Sequence, residues 1–209
     1  MESRRSYDPA GTRQALVDAA FDEIMRVGYR GTSLNRIISA AEVTKGALYH
    51  HFRGGKRALS YAVLDERIRP DLEVRWFAPL KEAADPVDAL QAVLRAVVAE
   101  DGASLAYSGS PVNNLAQEMS TADEGFRERM EVVYTAWREA IGEALRQGQA
   151  EGTVRENVQT DEVAVVVVAL MDGAAGQTKL TRDPAVLRTC IEGLGHYLEA
   201  LRPRRGFRG

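Results

Sequence analysis

The amino-acid sequence predicts an all-α protein of about nine helices, with a three-helix N-terminal unit (1–55) and a larger helical unit after it (56–209). Three observations predict this. Helix-start signals recur along the chain, strand signals are nearly absent, and apolar residues return at intervals of three and four. Asp8-Pro9, Asp85-Pro86, Ser110-Pro111 and Asp183-Pro184 each place a capping oxygen before a proline. The oxygen accepts an orphan N–H of the first turn, and proline, which has no N–H, presets φ there. Thr121-Ala-Asp-Glu124 reads as a capping box.

In order, the first helix is expected over 9–27, where Leu16, Ala19, Ala20, Ile24 and Val27 form one stripe and Gly28 stops the chain. A short helix over 33–40 follows, with Thr32 or Ser33 as its cap and Leu34, Ile37 and Ile38 inward. After the turn Ala41-Glu42-Val43, Thr44 caps a second short helix from Lys45 to about Tyr49. A longer helix opens at Lys56 and reaches the Arg69-Pro70 region or somewhat beyond. Further helices are expected at about 86–101, 111–119, 124–148, 161–180 and 184–201. The run VAVVVVALM at 163–171 has the β-branched density of a buried strand. No partner strand is visible and the apolar character continues at helical length, so it reads as a buried helix.

The bulk numbers exclude several classes. The chain has 209 residues, 45% hydrophobic and 27% charged, which is ordinary for one or two globular domains. A single cysteine, Cys190, excludes an internal disulfide and an all-cysteine metal site, and it reads as buried. Three histidines, His50, His51 and His196, leave little for zinc. No metal and no cofactor are expected. The N-terminus lacks the apolar core of a signal peptide, and the longest apolar run is nine residues, too short to cross a membrane. The expected location is the cytoplasm. No catalytic motif is present, so an enzyme using a C-terminal cavity is a remote alternative.

Charge is unevenly spread. Residues 1–57 hold 10 Lys/Arg against 6 Asp/Glu, while the rest hold 17 against 24. A basic head on an acidic body suggests nucleic acid as a partner. The stretch 32–56, TSLNRIISAAEVTKGALYHHFRGGK, carries that suggestion further, since two short helices joined by a tight turn form a helix-turn-helix. Val43 and Leu48 can pin the second helix on the first. Thr44 and the free N–H groups beside it can meet a phosphate. Lys45 can reach a base edge, and Gly46 lets the backbone approach. Tyr49 and His50 lie one turn on, and Lys56 can clamp the backbone. Phe52 reads as core. Adjacent histidines on a helix point about 100° apart, which argues against joint metal binding. Arg4 and Arg5 are candidates for a minor groove, with a disordered arm as the alternative.

Gly31-Thr32-Ser33, Ile37, 40–46 (AAEVTKG), 48–52 (LYHHF) and Lys56 together resemble the DNA-binding signature of the TetR family. The resemblance covers about residues 9–60. It implies a homodimeric repressor of a palindromic double-stranded operator, released by a small apolar or amphipathic effector. An activator of the same family, or a helical adaptor that binds protein and not DNA, is the alternative. By position it places DNA contacts on Thr32, Ser33, Thr44, Lys45, Gly46, Tyr49, His50, His51 and Lys56. Arg53-Gly54-Gly55 departs from the pattern and is expected to loosen the link to the next helix.

The resemblance also implies an effector pocket in the C-terminal unit. Candidate lining residues are Trp76, Phe77, Tyr107, Asn113, Asn114, Gln117, Tyr134, Trp137 and Met171, each of which could equally be ordinary core. Residues 109–118 (GSPVNNLAQE) are similar to a branch of the family in which a cysteine senses electrophiles. Ser110 stands in that cysteine's place, and a hydroxyl is a far poorer nucleophile, so reversible binding is expected. The last two long helices are implied to pair with their copies as a four-helix bundle. Gly173, Ala174 and Gly176, with Gly193 and Gly195, are the small residues that would let helices approach closely. His196 reads as packed or interfacial. Two-fold symmetry would space the two recognition helices about 34–36 Å apart or somewhat more.

Overall fold

The computed structural model describes residues 8–203, and every regular element among them is helical. The helices α1 (Pro9–Gly31), α2 (Leu34–Ala40) and α3 (Lys45–His51) come first. α4 is one helical run, 55–81, with π-helical stretches at Val63–Ile68 and Glu73–Phe77. α5 (86–108) has one such stretch at Val97–Asp101. α6 (Pro111–Met119), α7 (Glu124–Ala150), α8 (Thr160–Thr181) and α9 (Pro184–Glu199) complete the chain.

Three of the four proline-flanked caps form. Asp85 accepts the N–H groups of Val87 (2.9 Å) and Asp88 (3.2 Å), Ser110 accepts that of Asn113 (3.2 Å), and Asp183 accepts that of Ala185 (2.9 Å). Asp8 makes no capping bond. In place of the expected capping box a simple cap lies two residues on: Asp123 accepts the Phe126 N–H at the start of α7 (3.2 Å), and Phe126 has no side-chain acceptor to reciprocate.

α4 continues past Pro70. The π register ahead of it absorbs the missing donor, since the Arg69 N–H already reaches back five residues to the Leu64 carbonyl. The valine-rich run lies within α8. Its buried positions, Val163, Ala164, Val167, Val168, Met171, Ala174 and Ala175, follow a helical stripe rather than alternating. By length and composition alone α8 is apolar enough to cross a membrane. The nine-residue run missed this because residues 172–180 extend the helix. Its buried stripe packs against α9 and α5.

Packing divides the chain into two units, each described by itself. One comprises the residues up to Pro70 together with Asn114–Arg129; the other comprises Asp71–Asn113 and Met130 onward. The first unit thus runs beyond residue 55 and takes in parts of α6 and α7.

Its core is Leu16, Val17, Ala20, Ile37, Leu48, Phe52 and Leu59, all 2% exposed or less. Each of these side chains except Ala20 contributes about 1.5–3 kcal/mol of hydrophobic stabilisation. Gly28 (φ 74°) breaks α1 as expected, although helical turns resume up to Gly31. The turn between α2 and α3 closes by Val43 N–H to Ile38 O (3.1 Å) and Glu42 N–H to Ser39 O (3.3 Å). That is a Schellman pattern, but Glu42 (φ 53°) occupies the left-handed position that glycine favours.

The second unit is built on α5, α8 and α9, whose contacts are mutual. Leu90, Leu94, Ile141, Leu145, Val167, Leu187 and Leu194 are 1% exposed or less.

Candidate functional site

α3 is short, and only Leu48 anchors it fully in the core. Thr44 caps it, its hydroxyl accepting the Ala47 N–H at 3.1 Å. Seven residues are two turns, so one buried apolar residue and one cap leave the remaining face outward. Thr44, Lys45, Gly46, Tyr49 and His50 are exposed, Tyr49 by 43%. Phe52 is buried, with the Arg13 guanidinium 4.5 Å above its ring. His51 is partly covered and packs edge-on against His50 (5.2 Å). Burial first, then the electrostatic effects of His50 and Arg13, hold the His51 imidazole below its usual pKa.

Beyond Thr44 and Leu48, the sequence singled out none of the carboxylates that brace the segment leading into α2. Glu23, 7% exposed, pairs with Arg26 (2.6 Å) and Arg36 (2.5 Å) and accepts the Ser33 N–H (3.4 Å). Its carboxylate therefore serves the start of α2, where Ser33 makes no side-chain cap. Burial alone would raise the Glu23 pKa; the two arginines and the Ser33 N–H outweigh it and hold it low. Glu118, from α6, accepts the N–H groups of Tyr29 (2.8 Å) and Arg30 (2.7 Å), just after the Gly28 break. Nearby, Phe126 meets Tyr29 and Tyr61 edge-on at 5.0 and 4.9 Å. The Tyr61 hydroxyl donates to Asp123 (2.6 Å) and accepts from Arg57 (2.8 Å). A glutamate at position 118 signals none of this in the sequence, because its partners lie 88 and 89 residues away.

Two of the residues expected on DNA spend their polar groups inside the unit. Thr32 is 7% exposed and its hydroxyl donates to the Gly28 carbonyl at 2.6 Å. Lys56 donates to the carbonyls of Arg30 (3.1 Å) and Thr32 (2.9 Å) and sits 4.7 Å over the Tyr29 ring. Burial lowers the Lys56 pKa, against the raising effect of the Glu118 charge. Ser33 is partly exposed at the start of α2. The glycine pair tightens the chain where loosening was expected: Gly55 (φ +59°) is buried and its N–H donates to Phe52 O at 2.8 Å. A side chain there would meet Tyr49 and Leu34. Arg4 and Arg5 lie outside the described residues.

In the second unit the expected pocket residues divide. Trp76 and Trp137, each 4% exposed, meet edge-on at 4.8 Å. The Asn113 amide donates to the Asp172 backbone carbonyl at 3.3 Å, and the Tyr134 hydroxyl donates to the Asp172 carboxylate at 2.6 Å. Met171 is buried beside them in sequence, and Phe77 is partly buried. Asp172 escaped the sequence reading, although an acid closing a long apolar run was a visible signal. Tyr107 belongs to the surface, not to a pocket: it is 63% exposed, under the Arg182 guanidinium at 5.2 Å. Asn114 and Gln117 belong to the first unit, and Gln117 is exposed.

Of the small residues expected at a subunit contact, Gly173, Gly176 and Gly193 are exposed, and a Cβ added at any of them would have open space for 4 Å around it; Gly195 is half-covered. Ala174 does not fit that expectation. It is 1% exposed and packs within its own unit, one residue round the helix from the open face. Val165 and Val166 extend that face at 50% and 42% exposure, and His196 and Tyr197 stand out from α9. Cys190 is partly exposed, where burial was expected.

Comparison with known proteins agrees with the helical fold. Residues 16–63 match the family described as bacterial regulatory proteins, tetR family, and residues 86–194 match a tetracyclin repressor-like C-terminal domain. The HTH-type transcriptional regulator LmrA of Bacillus subtilis is 31% identical, over 78% of this chain and 83% of its own. The HTH-type transcriptional repressor DhaR of Mycobacterium sp. is 28% identical, over 82% of this chain and 84% of its own. A solved TetR transcriptional regulator from Chloroflexus aurantiacus superposes with a TM-score of 0.79 at 27% identity, over 91% of this chain and 95% of its own. A cysteine mutant of CifR, solved with a 26-base-pair operator, shares the fold with a TM-score of 0.78 at 22% identity, over 93% and 98% of the two chains.

Proposed function

The chain belongs to the TetR family of bacterial transcriptional regulators, and from that premise we propose that it is a repressor that binds a palindromic operator as a homodimer and leaves it when a small amphipathic molecule binds the second unit. It is a regulator, not an enzyme. The observation that carries the reading is the outward face of α3: a cation, an aromatic hydroxyl, an imidazole and a glycine on two exposed turns.

Lys45, Tyr49 and His50 read the major groove, Gly46 admits a close phosphate, and Thr44 and Ser33 meet the backbone. Thr32 and Lys56 act one step back. They hold the chain that sets α2 and α3, because their polar atoms are already spent on carbonyls. His51 supports His50. The open apolar face of Val165, Val166, Gly173, Gly176 and Gly193 is where a second copy packs. We place the protein in the cytoplasm, where its operator is.

Release is a population shift: an effector selects a dimer whose reading heads no longer fit the groove spacing, by no more than its differential affinity for the two forms. Fluorescence anisotropy with DNA from upstream of the protein's own gene, across salt concentrations, tests the reading. Binding that is steeply salt-dependent and far tighter than to scrambled DNA supports it. Weak binding, equal for both DNAs, in this assay and in a genome-wide fragment selection overturns it.

A further inference from the structure

Among the buried polar atoms of the second unit that lack a hydrogen-bond partner among the described residues are Asp172 Oδ1 and Trp137 Nε1, each on a side chain that neighbours Tyr134, and Arg155 Nε, one of the several N–H donors of its guanidinium. Tyr134, one turn before Trp137 on α7, ties the two together by donating to the other Asp172 oxygen at 2.6 Å. Orphans of this kind are uncommon, and the two are not equal to a stray hydroxyl. The other orphan hydroxyls, Ser60 and Thr178, can turn toward the carbonyls of their own helices. A carboxylate oxygen and an indole N–H cannot. Leaving a carboxylate oxygen unpaired away from water is the costliest case.

The surroundings specify what would satisfy them. The hydrogen-bond donor to Asp172 is the neutral Tyr134 hydroxyl, and no described ion pair joins Asp172 to an arginine or lysine, although the Arg138 charge is felt at Tyr134. Burial pushes the Asp172 carboxyl up, only partly offset by the Tyr134 bond, and burial and the Asp172 charge push Tyr134 up. The carboxylate is thus under-compensated. Trp137 lies edge-on to Trp76 at 4.8 Å, which supplies an apolar aromatic wall. Tyr134 and Asp172 are only partly buried, so the pair borders the surface while the indole below is closed off.

We propose that Asp172, Tyr134 and Trp137 form the recognition site for an amphipathic organic cation: a protonated amine donates to Asp172 Oδ1, its apolar body lies against the Trp76–Trp137 pair, and an acceptor oxygen on it takes the Trp137 Nε1–H. This rests on the effector reading above and narrows the effector to a chemical class. Tyr134 holds the carboxylate through its second oxygen, and the Asn113 amide on Asp172 O fixes the backbone that carries it. Both orphan atoms are covered, so the ligand reaches them only by displacing the side chains over them. Binding is then coupled to rearrangement of the helices that carry them.

The test uses the full-length protein and three matched compounds: 2-(2-naphthyloxy)ethylamine, the neutral 2-(2-naphthyloxy)ethanol and the anionic (2-naphthyloxy)acetate. The chain has two tryptophans, so an amide-correlation NMR spectrum holds two indole N–H signals, assigned with a Trp76→Phe variant. Calorimetry gives the affinities. The amine is expected to bind at least ten-fold tighter than the alcohol, and tighter still than the acid, with the Trp137 indole signal shifting. Asp172→Asn, which keeps an acceptor for Tyr134, is expected to abolish the preference for the amine while operator binding persists. Equal affinities for the three compounds, an undiminished preference in Asp172→Asn, or no shift of the Trp137 signal overturns the site. If Asp172→Asn does not fold, Trp137→Phe serves: it keeps the amine preference and lowers affinity several-fold, and unchanged affinity overturns the indole's role. Operator anisotropy with and without the amine separates the two claims. An amine that binds as described but leaves operator affinity unchanged upholds the site and removes its role as effector site.

Discussion

α3 and the Tyr134–Asp172 region are opposite ways of holding polar chemistry. α3 keeps Lys45, Tyr49 and His50 in water and buries little besides Leu48. The second unit sinks an indole and a carboxylate among apolar helices, with orphaned atoms on both. The exposed face costs almost nothing in stability and is free to change with its DNA partner. The buried pair is costly unless something satisfies it. A surface contact set should therefore fail in function without failing in fold, whereas a group whose bonds are spent inside its unit should fail first in fold.

The largest expected effect tests the first half of that contrast. Tyr49→Ala and Lys45→Ala should each weaken operator binding roughly 10- to 100-fold, about 1–3 kcal/mol. The Lys45 variant should also flatten the salt dependence by about one unit of slope if it meets a phosphate. Thermal unfolding should be unchanged in both. A melting point that falls along with the affinity would break the distinction.

Glu118→Ala should show the reverse order of effects. It strands the Tyr29 and Arg30 N–H groups and should destabilise the first unit by about 1–3 kcal/mol. Glu118→Gln keeps an acceptor and should cost less, which denaturant titration can resolve. Thr44→Ala sits between the two cases. The residue is exposed but its hydroxyl caps α3, so a loss of about 1 kcal/mol is expected together with weaker DNA binding.

The smallest effect concerns pH. The Glu23 pKa is held below its unfolded value, so its stabilisation is fully present above about pH 4.3 and is lost as pH falls through the folded value. Glu23→Gln should flatten the acid side of the stability curve. An acid limb as steep as in the unaltered protein would mean that Arg26 and Arg36 are held by other contacts.

Legibility in the sequence follows the same contrast. The α2–α3 stretch was readable because its cap, turn and outward face lie within about two dozen consecutive residues. Lys56 and Thr32 were assigned to DNA by position, and their internal bonds were invisible because those bonds depend on how α1 turns at Gly28. Ala174 was grouped with its glycine neighbours because composition does not say which side of a helix faces in. Asp172 was passed over because its partner Tyr134 lies 38 residues away on another helix.

By itself the sequence determined the all-helical class, most helix starts and the helix-turn-helix of α2 and α3. Those depend on capping oxygens, on proline and glycine, and on apolar spacing, all acting within one or two turns. Only the tertiary structure decided which polar groups are spent inside, that residues 114–129 pack with the first 70, and that Asp172 meets Tyr134. Those outcomes turn on which helix faces meet, a choice made by the burial of whole apolar surfaces and not by any local run of residues.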